Sequence, residues 1–116
     1  MADEIFLTTD VSDGVLHAGI RAEKVAEREA TIIEEGINAA GGDAGWKVAL
    51  DVEPVMLLAS VGLGMLINLD KQAKAGGGKL VIHSMSDQLL MMLKITKLHK
   101  VLTIVKDRDA AIAALR

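Results

Sequence analysis

Residues 57–64 read Leu57-Leu58-Ala59-Ser60-Val61-Gly62-Leu63-Gly64 and lie between a strand-like run and a helix-like run. Because Pro54 cannot donate a hydrogen bond to a sheet, the strand is expected to end before it. Ser60 is then predicted to be the N-cap of the helix, where its hydroxyl accepts a hydrogen bond from a backbone N–H of the first turn. Gly62 and Gly64 have no side chains, so a neighbouring backbone can pack closely against this turn, or the helix N-terminus is left open. The stretch therefore predicts a strand-to-helix junction, and the candidate functional site lies there.

Length and composition predict one domain with an aliphatic core. A chain of 116 residues buries roughly two-thirds of the surface that its unfolded form exposes, which is enough for a proper core. Phe6 and Trp46 are the only Phe, Trp or Tyr residues, so Leu, Ile, Val, Met and Ala must fill that core. The whole chain, residues 1–116, is therefore expected to form a single domain.

The same composition argues against several classes of function. Few aromatic side chains, a net charge of −3 and a pI near 5.5 argue against nucleic-acid binding. The absence of cysteine excludes disulfides, thiolate metal sites and thiol nucleophiles. The longest apolar run, residues 55–67, is interrupted and falls short of a bilayer span, and the N-terminus carries acids where a signal peptide is basic. We expect a cytoplasmic protein without direct membrane insertion.

Hydrophobic periodicity predicts strands and helices in alternation. The predicted strands comprise residues 4–11, 15–20, 46–52, 79–83 and 101–105, with a turn at 12–14. The first predicted helix comprises residues 23–40, and the second begins at Ser60 and ends at residue 75. The third is capped within residues 84–87 and ends near 96, and the fourth comprises residues 107–116. The order β-β-α-β-α-β-α-β-α is typical of an α/β fold with a mainly parallel mixed sheet, an opening β-hairpin and about four α-helices.

One face of the second predicted helix carries regularly spaced apolar residues. They are Gly62, Met65, Leu66, Leu69 and Ala73. This spacing predicts that the face is buried against the sheet.

Several local patterns follow one another along nearly the whole chain. They are Gly14-Val15-Leu16, Val48-Ala49-Leu50-Asp51-Val52 followed by Val55, Ser60-Val61-Gly62-Leu63-Gly64, Ala73-Lys74-Ala75-Gly76-Gly77, Lys79-Leu80-Val81-Ile82 and Leu93-Lys94-Ile95-Thr96-Lys97-Leu98. In this order and spacing the chain resembles the STAS family, the domain shared by sulfate transporters and bacterial anti-sigma factor antagonists. The last pattern is similar to the family's Leu-Glu-Leu-Thr-Gly-Leu pattern.

The resemblance implies a STAS-like fold and a regulatory switch. Stand-alone members of the family typically bind an anti-sigma factor, often a serine kinase with a histidine-kinase-like ATPase fold, and so free a sigma factor to start transcription. The kinase phosphorylates a serine of an Asp-Ser-Ser-Gly motif at this same junction, and the added charge breaks the complex. In this sequence Ala59 replaces the aspartate, Ser60 retains the first serine, and Val61 replaces the second serine, which is the usual phosphoacceptor. Either Ser60 is the phosphoacceptor, or the domain binds its partner without this switch.

The predicted partner-binding surface lies at the Ser60 end of the second helix and in the loop before the third. It comprises Ser60, Val61, Leu63, Gly64, Ile67 and Met85. Leu63 and Ile67 lie on the flank of the helix and are either further core or an apolar contact for a partner. Ser60 is either an ordinary N-cap or a phosphorylatable serine, and one position can serve both roles. The predicted partner is an anti-sigma factor, and the protein is expected to be a monomer or weak dimer.

Two other functions stay open. The first is a sensor that binds a small molecule or nucleotide at the open helix end. The second is a non-phosphorylated scaffold, such as a subunit of a signalling or lipid-transport ATPase assembly. An enzyme is least favoured, because the sequence offers no convergent set of catalytic polar groups. No cofactor or metal is expected, because His17, His83 and His99 are scattered over different elements without ligand spacing and cysteine is absent.

Overall fold

The computed structural model describes residues 6–116, in which strands and helices alternate after an opening hairpin. The strands are β1 (Leu7–Ser12), β2 (Val15–Ile20), β3 (Lys24–Val25), β4 (Lys47–Asp51), β5 (Leu57–Leu58), β6 (Lys79–His83) and β7 (Thr103–Val105). The α-helices are α1 (Glu27–Gly41), α2 (Ser60–Ala75), α3 (Asp87–Ile95) and α4 (Arg108–Leu115). Short 3₁₀ helices follow α1 and α3, at Gly42–Ala44 and Leu98–Lys100.

The main sheet has five strands in the order β1-β2-β4-β6-β7. β1 pairs antiparallel with β2, and every other pair is parallel. The hairpin turn consists of Asp13 and Gly14, both with positive φ (54° and 76°), as a two-residue turn of the mirror-image type requires. The predicted mixed, mainly parallel sheet with an opening hairpin is confirmed, and the described residues contain the four predicted α-helices.

The main core lies on one face of this sheet, under α1, α2 and α3. Strand residues alternate between the two faces, so Leu16, Leu50 and Ile82 point into this core. The predicted apolar face of α2 is buried there, which confirms that prediction. α4 covers the opposite face with a smaller cluster formed by Val15, Ala49, Val81, Ala111 and Leu115.

A two-stranded parallel sheet, formed by β3 and β5, was not predicted. The backbone N–H groups of Met56 and Leu57 donate to the Glu23 carbonyl at 2.7 and 3.0 Å, and the Ala59 N–H donates to the Val25 carbonyl at 2.9 Å. These bonds hold the chain before α1 in an extended conformation. The prediction that the first helix begins at residue 23 is therefore wrong, and α1 begins at Glu27.

Other predicted boundaries are correct to within about two residues. β7 begins at Thr103 rather than 101, because the N–H groups of Val101 and Leu102 donate to the Leu98 carbonyl and continue a helical turn. β4 ends before Pro54, as predicted. For β1, the first described strand residue is Leu7, and the predicted start at residue 4 lies outside the described residues.

Candidate functional site

The predicted junction is present, but Ser60 is not its N-cap. The N-cap is Ala59, whose backbone is extended (φ −71°, ψ 168°) and whose carbonyl accepts from the N–H groups of Gly62 and Leu63 at 2.9 and 3.1 Å. Ala59 takes this position because its own N–H is bonded to β3. Ser60 becomes the first helical residue, and its hydroxyl makes no capping hydrogen bond within the part of the chain that the structure describes. Its side chain is exposed at the helix start.

The two glycines of the junction have different roles. A Cβ at Gly62 would lie 2.9 Å from the Val25 carbonyl oxygen and 3.0 Å from a methyl carbon of Leu58. A Cβ at Gly64 would meet no atom within 4 Å. Gly62 therefore permits the start of α2 to pack against β3 and β5, whereas Gly64 leaves an open surface.

The predicted partner-binding residues divide between exposed and half-buried positions. Ser60 and Val61 are exposed, and Val61 has 43% of its surface accessible. Leu63, Gly64 and Ile67 on α2 are half-buried. Leu63 also packs against the main core, so the alternative that it is further core is confirmed, and part of its side chain stays accessible.

Met85 lies in the loop between β6 and α3, where it is half-buried and packs against the same core. The carboxyl end of each parallel strand lies at the same edge of a sheet. The loops that follow β4 and β6 therefore bring the start of α2 and Met85 to one edge.

Two exposed apolar residues at this junction were missed by the prediction. Met56 and Leu57 are each about half exposed immediately before α2. In β5 the side chain of Leu58 points inward and is buried, so that of its neighbour Leu57 points outward. No sequence signal identifies Leu57, because a strand of two residues has no periodicity. Met56, Leu57 and Val61 place exposed apolar side chains on both sides of Ser60 in the chain.

The electrostatics of the junction favour an added negative charge. The first turn of α2 contains no acidic residue. Helix N-termini carry partial positive charge because their first backbone N–H groups lack acceptors within the helix. A charged group on Ser60 would therefore stabilise α2 and change the surface that a partner meets.

A small polar cavity lies on the α4 face of the sheet, at the same edge. Its volume is about 170 Å³, and its lining includes Asp10, His17, Asp51, His83 and Arg108. His17 and His83 lie on different strands, as the sequence indicated, and strand pairing brings them into one cavity. Sequence spacing does not contain this information.

Burial lowers the pKa of both imidazoles in this cavity. Burial lowers the pKa of His83, which is 4% exposed, against the opposing influence of Asp51. Its Nδ1 lies 2.8 Å from the Ser84 hydroxyl oxygen. Burial and the Arg108 guanidinium lower the pKa of His17. Both rings are therefore biased towards the neutral form.

Two features are absent from residues 6–116. They contain no group of three or more His, Asp or Glu side chains placed to hold a metal ion. Of the helices in this range, none is long and apolar enough to cross a membrane.

Comparison with known proteins identifies what this arrangement is similar to. The model of the STAS domain family matches residues 9–111 of the chain. An anti-sigma factor antagonist from Mycobacterium paratuberculosis has 21% identity and a TM-score of 0.81, over 100% of this chain and 97% of that one. An anti-sigma-factor antagonist (STAS) domain protein from Planctomyces limnophilus has 18% identity and a TM-score of 0.77, over 94% and 97%. Unphosphorylated SpoIIAA, also an anti-sigma factor antagonist, has 12% identity and a TM-score of 0.69, over 93% and 94%. At these identities the three structures share the fold.

Proposed function

Because the chain belongs to the STAS domain family, we propose that it is an anti-sigma factor antagonist that binds an anti-sigma factor through the start of α2. The similarity in fold to proteins described as anti-sigma factor antagonists supports this role. The proposed contact residues are Ser60, Val61, Leu63, Gly64, Ile67 and Met85. The protein acts by binding and not by catalysis.

The observation that carries the proposal is the exposed apolar surface beside Ser60, whose hydroxyl makes no hydrogen bond within residues 6–116. Val61 is 43% exposed in the first turn of α2, and Met56 and Leu57 are exposed just before it. Exposed apolar side chains clustered in this way are typical of protein interaction sites. Gly62 holds the turn against β3, so the surface is presented on a rigid element.

Phosphorylation of Ser60 would regulate this contact. A phosphoryl group adds up to about two negative charges at pH 7. In the complex these charges would be buried among apolar side chains, so docking would be opposed by their desolvation. In the free protein they would face the N-terminus of α2, which favours them. The proposed kinase is the anti-sigma factor itself, with a histidine-kinase-like ATPase fold.

Val61 supports a second candidate, a STAS scaffold that binds its partner without phosphorylation. Valine has no hydroxyl, and it occupies the exposed position of the usual phosphoacceptor in the resembling motif. In this case the apolar surface at the start of α2 would form a permanent contact.

Capture from cells that naturally express the protein tests these proposals. Tagged wild type, a Val61→Glu variant and an Asn68→Glu control are compared, since Asn68 is also exposed on α2 but lies two turns from its start. We expect the wild type and the control to capture an anti-sigma factor, and Val61→Glu to capture at least tenfold less of it. Peptide mass spectrometry of the captured wild type, which locates any phosphoryl group, distinguishes phosphorylated Ser60 from the scaffold. Equal capture of the anti-sigma factor by all three proteins, or none by the wild type, would contradict the proposed function.

A further inference from the structure

A groove lies between α3 and β7, at the edge of the main sheet. Its volume is about 480 Å³, and it is lined by Met85, Asp87, Leu90, Lys94, His99, Ile104, Val105 and Lys106. β7 is the last strand of the sheet, and among the described residues its outer edge pairs with no other strand. The groove is therefore bounded by one helix and by an open strand edge.

The helix beside the groove has an apolar outer side. Leu89 and Leu93 point into the protein, and Leu90 and Lys94 line the groove. Met91 and Ile95, one turn apart, are 63% and 76% exposed. The outer side of a surface helix is normally polar, so these side chains extend the apolar lining of the groove onto open surface.

The surroundings of the groove are basic in an otherwise acidic protein. Residues 85–106 contain four lysines and one aspartate, whereas the whole chain has a net charge of −3. Lys94 and Lys106 line the groove, and Lys97 and Lys100 are exposed on the segment between α3 and β7. A ligand with negative charge is therefore complementary to this groove.

We propose that this groove binds an acidic segment of a partner protein that also carries apolar side chains. The apolar side chains enter the groove beside Leu90 and Ile104, and the carboxylates face Lys94 and Lys106. A concave site of this size accepts individual side chains, which favours a peptide segment over a flat anionic bilayer. The inference goes beyond the proposed function, because the groove is a different surface from the one proposed at the start of α2. Of the residues that line the groove, only Met85 belongs to both.

Selection from a library of random 12-residue peptides displayed on phage tests the proposal. The target is the full chain, and counter-selection uses the Lys94→Glu/Lys106→Glu double variant, in which both exposed lysines are reversed. A Lys71→Glu/Lys79→Glu variant makes the same change in net charge at exposed sites outside the groove lining. Circular dichroism verifies that each variant is folded.

We expect the selected peptides to be acidic, to contain at least two apolar residues, and to shift the amide signals of Leu90 and Ile104 in NMR titrations. Their affinity should fall at least tenfold for the groove variant, change less than threefold for the control variant, and weaken with added salt. Failure to enrich peptides over the counter-selection, enrichment of basic peptides, or equal affinity for both variants would overturn the proposal. Binding to vesicles of phosphatidylglycerol and phosphatidylcholine that the groove variant loses, without peptide enrichment, would also overturn it and assign the groove to a membrane surface.

Discussion

Gly62 of α2 lies against the backbone of Val25 in β3, so closely that a Cβ at position 62 would be 2.9 Å from the Val25 carbonyl oxygen. The same carbonyl accepts the N–H of Ala59. Two adjacent contacts to one residue thus fix where α2 begins, and they leave Ser60 and Val61 on the surface. The position of the candidate site depends on a two-residue strand that is distant from it in sequence.

Replacing Gly62 by alanine is expected to destabilise the protein. Alanine favours a helix over glycine by up to about 1 kcal/mol, but the added methyl must displace a backbone carbonyl, and overpacking of this kind costs about 1–3 kcal/mol. We expect a net loss of about 1–2 kcal/mol in the free energy of unfolding, measured in urea. Gly64→Ala is the matched control, because its Cβ would meet no atom within 4 Å, and it should be as stable as wild type or more stable. A Gly62→Ala protein as stable as Gly64→Ala would contradict the close packing of α2 on β3.

Ser60→Asp is expected to stabilise the fold and to weaken binding to the partner. An acidic residue in the first turn of α2 should raise the free energy of unfolding by about 0.3–1 kcal/mol, because it faces the helix N-terminus. The same charge should weaken binding to the anti-sigma factor at least tenfold, as measured by calorimetry. Asn68→Asp, in the middle of α2, controls for charge and should change neither quantity appreciably. If Ser60→Asp bound as tightly as wild type, Ser60 would lie outside the contact surface.

Gly78→Ala is expected to destabilise the protein more than Gly62→Ala does. Its Cβ would overlap the backbone carbonyl of Trp46, which accepts the N–H of Lys79 at 2.8 Å. The first residues of β4 and β6 would be forced apart at a loss of about 3 kcal/mol, and the fluorescence of Trp46 should report it in urea unfolding. Gly42→Ala is the control, since Gly42 has φ −60° and open space around it. That substitution should be neutral or stabilising by up to about 1 kcal/mol, and comparable losses in both variants would refute the argument.

The parts of the fold that local chemistry specifies could be predicted from the sequence. Pro54 ends β4, the glycines after Ala75 end α2, and the spacing of Met65, Leu66 and Leu69 identifies the buried face of that helix. β3 and β5 could not be predicted, because strands of two residues have no periodicity. They exist because residues distant in sequence pair with each other, and this pairing also moves the N-cap from Ser60 to Ala59.

The position of the candidate site in the chain could be predicted from the sequence, but the exposure of its residues could not. Its glycines and serine mark the junction, whereas the exposure of Met56 and Leu57 depends on which way a short strand turns its side chains. The same limit applies to Met91 and Ile95, since apolar residues on a helix are normally assigned to the core and only packing shows that these two are exposed. His17 and His83 come together through the register of the sheet, which no local pattern records.

Acidification is expected to destabilise the protein through these two histidines. Burial lowers the pKa of both imidazoles below their usual value of 6.5. At pH values between the lowered pKa values and 6.5, the unfolded chain therefore binds more protons than the folded chain. The free energy of unfolding consequently rises with pH through this range. The stabilisation is complete above pH 6.5 and is lost as the pH falls towards the folded-state values.

Urea unfolding at pH 7.5 and 5.5 measures this effect. Wild type is compared with His17→Gln/His83→Gln, which retains every other titratable group, so that the difference between the two proteins isolates the imidazoles. We expect the free energy of unfolding to fall less in the double variant than in wild type between these pH values, whatever its stability at pH 7.5. An equal fall in both proteins would show that the imidazoles carry no pH dependence, and a larger fall in the variant would mean that the folded protein favours their charged form.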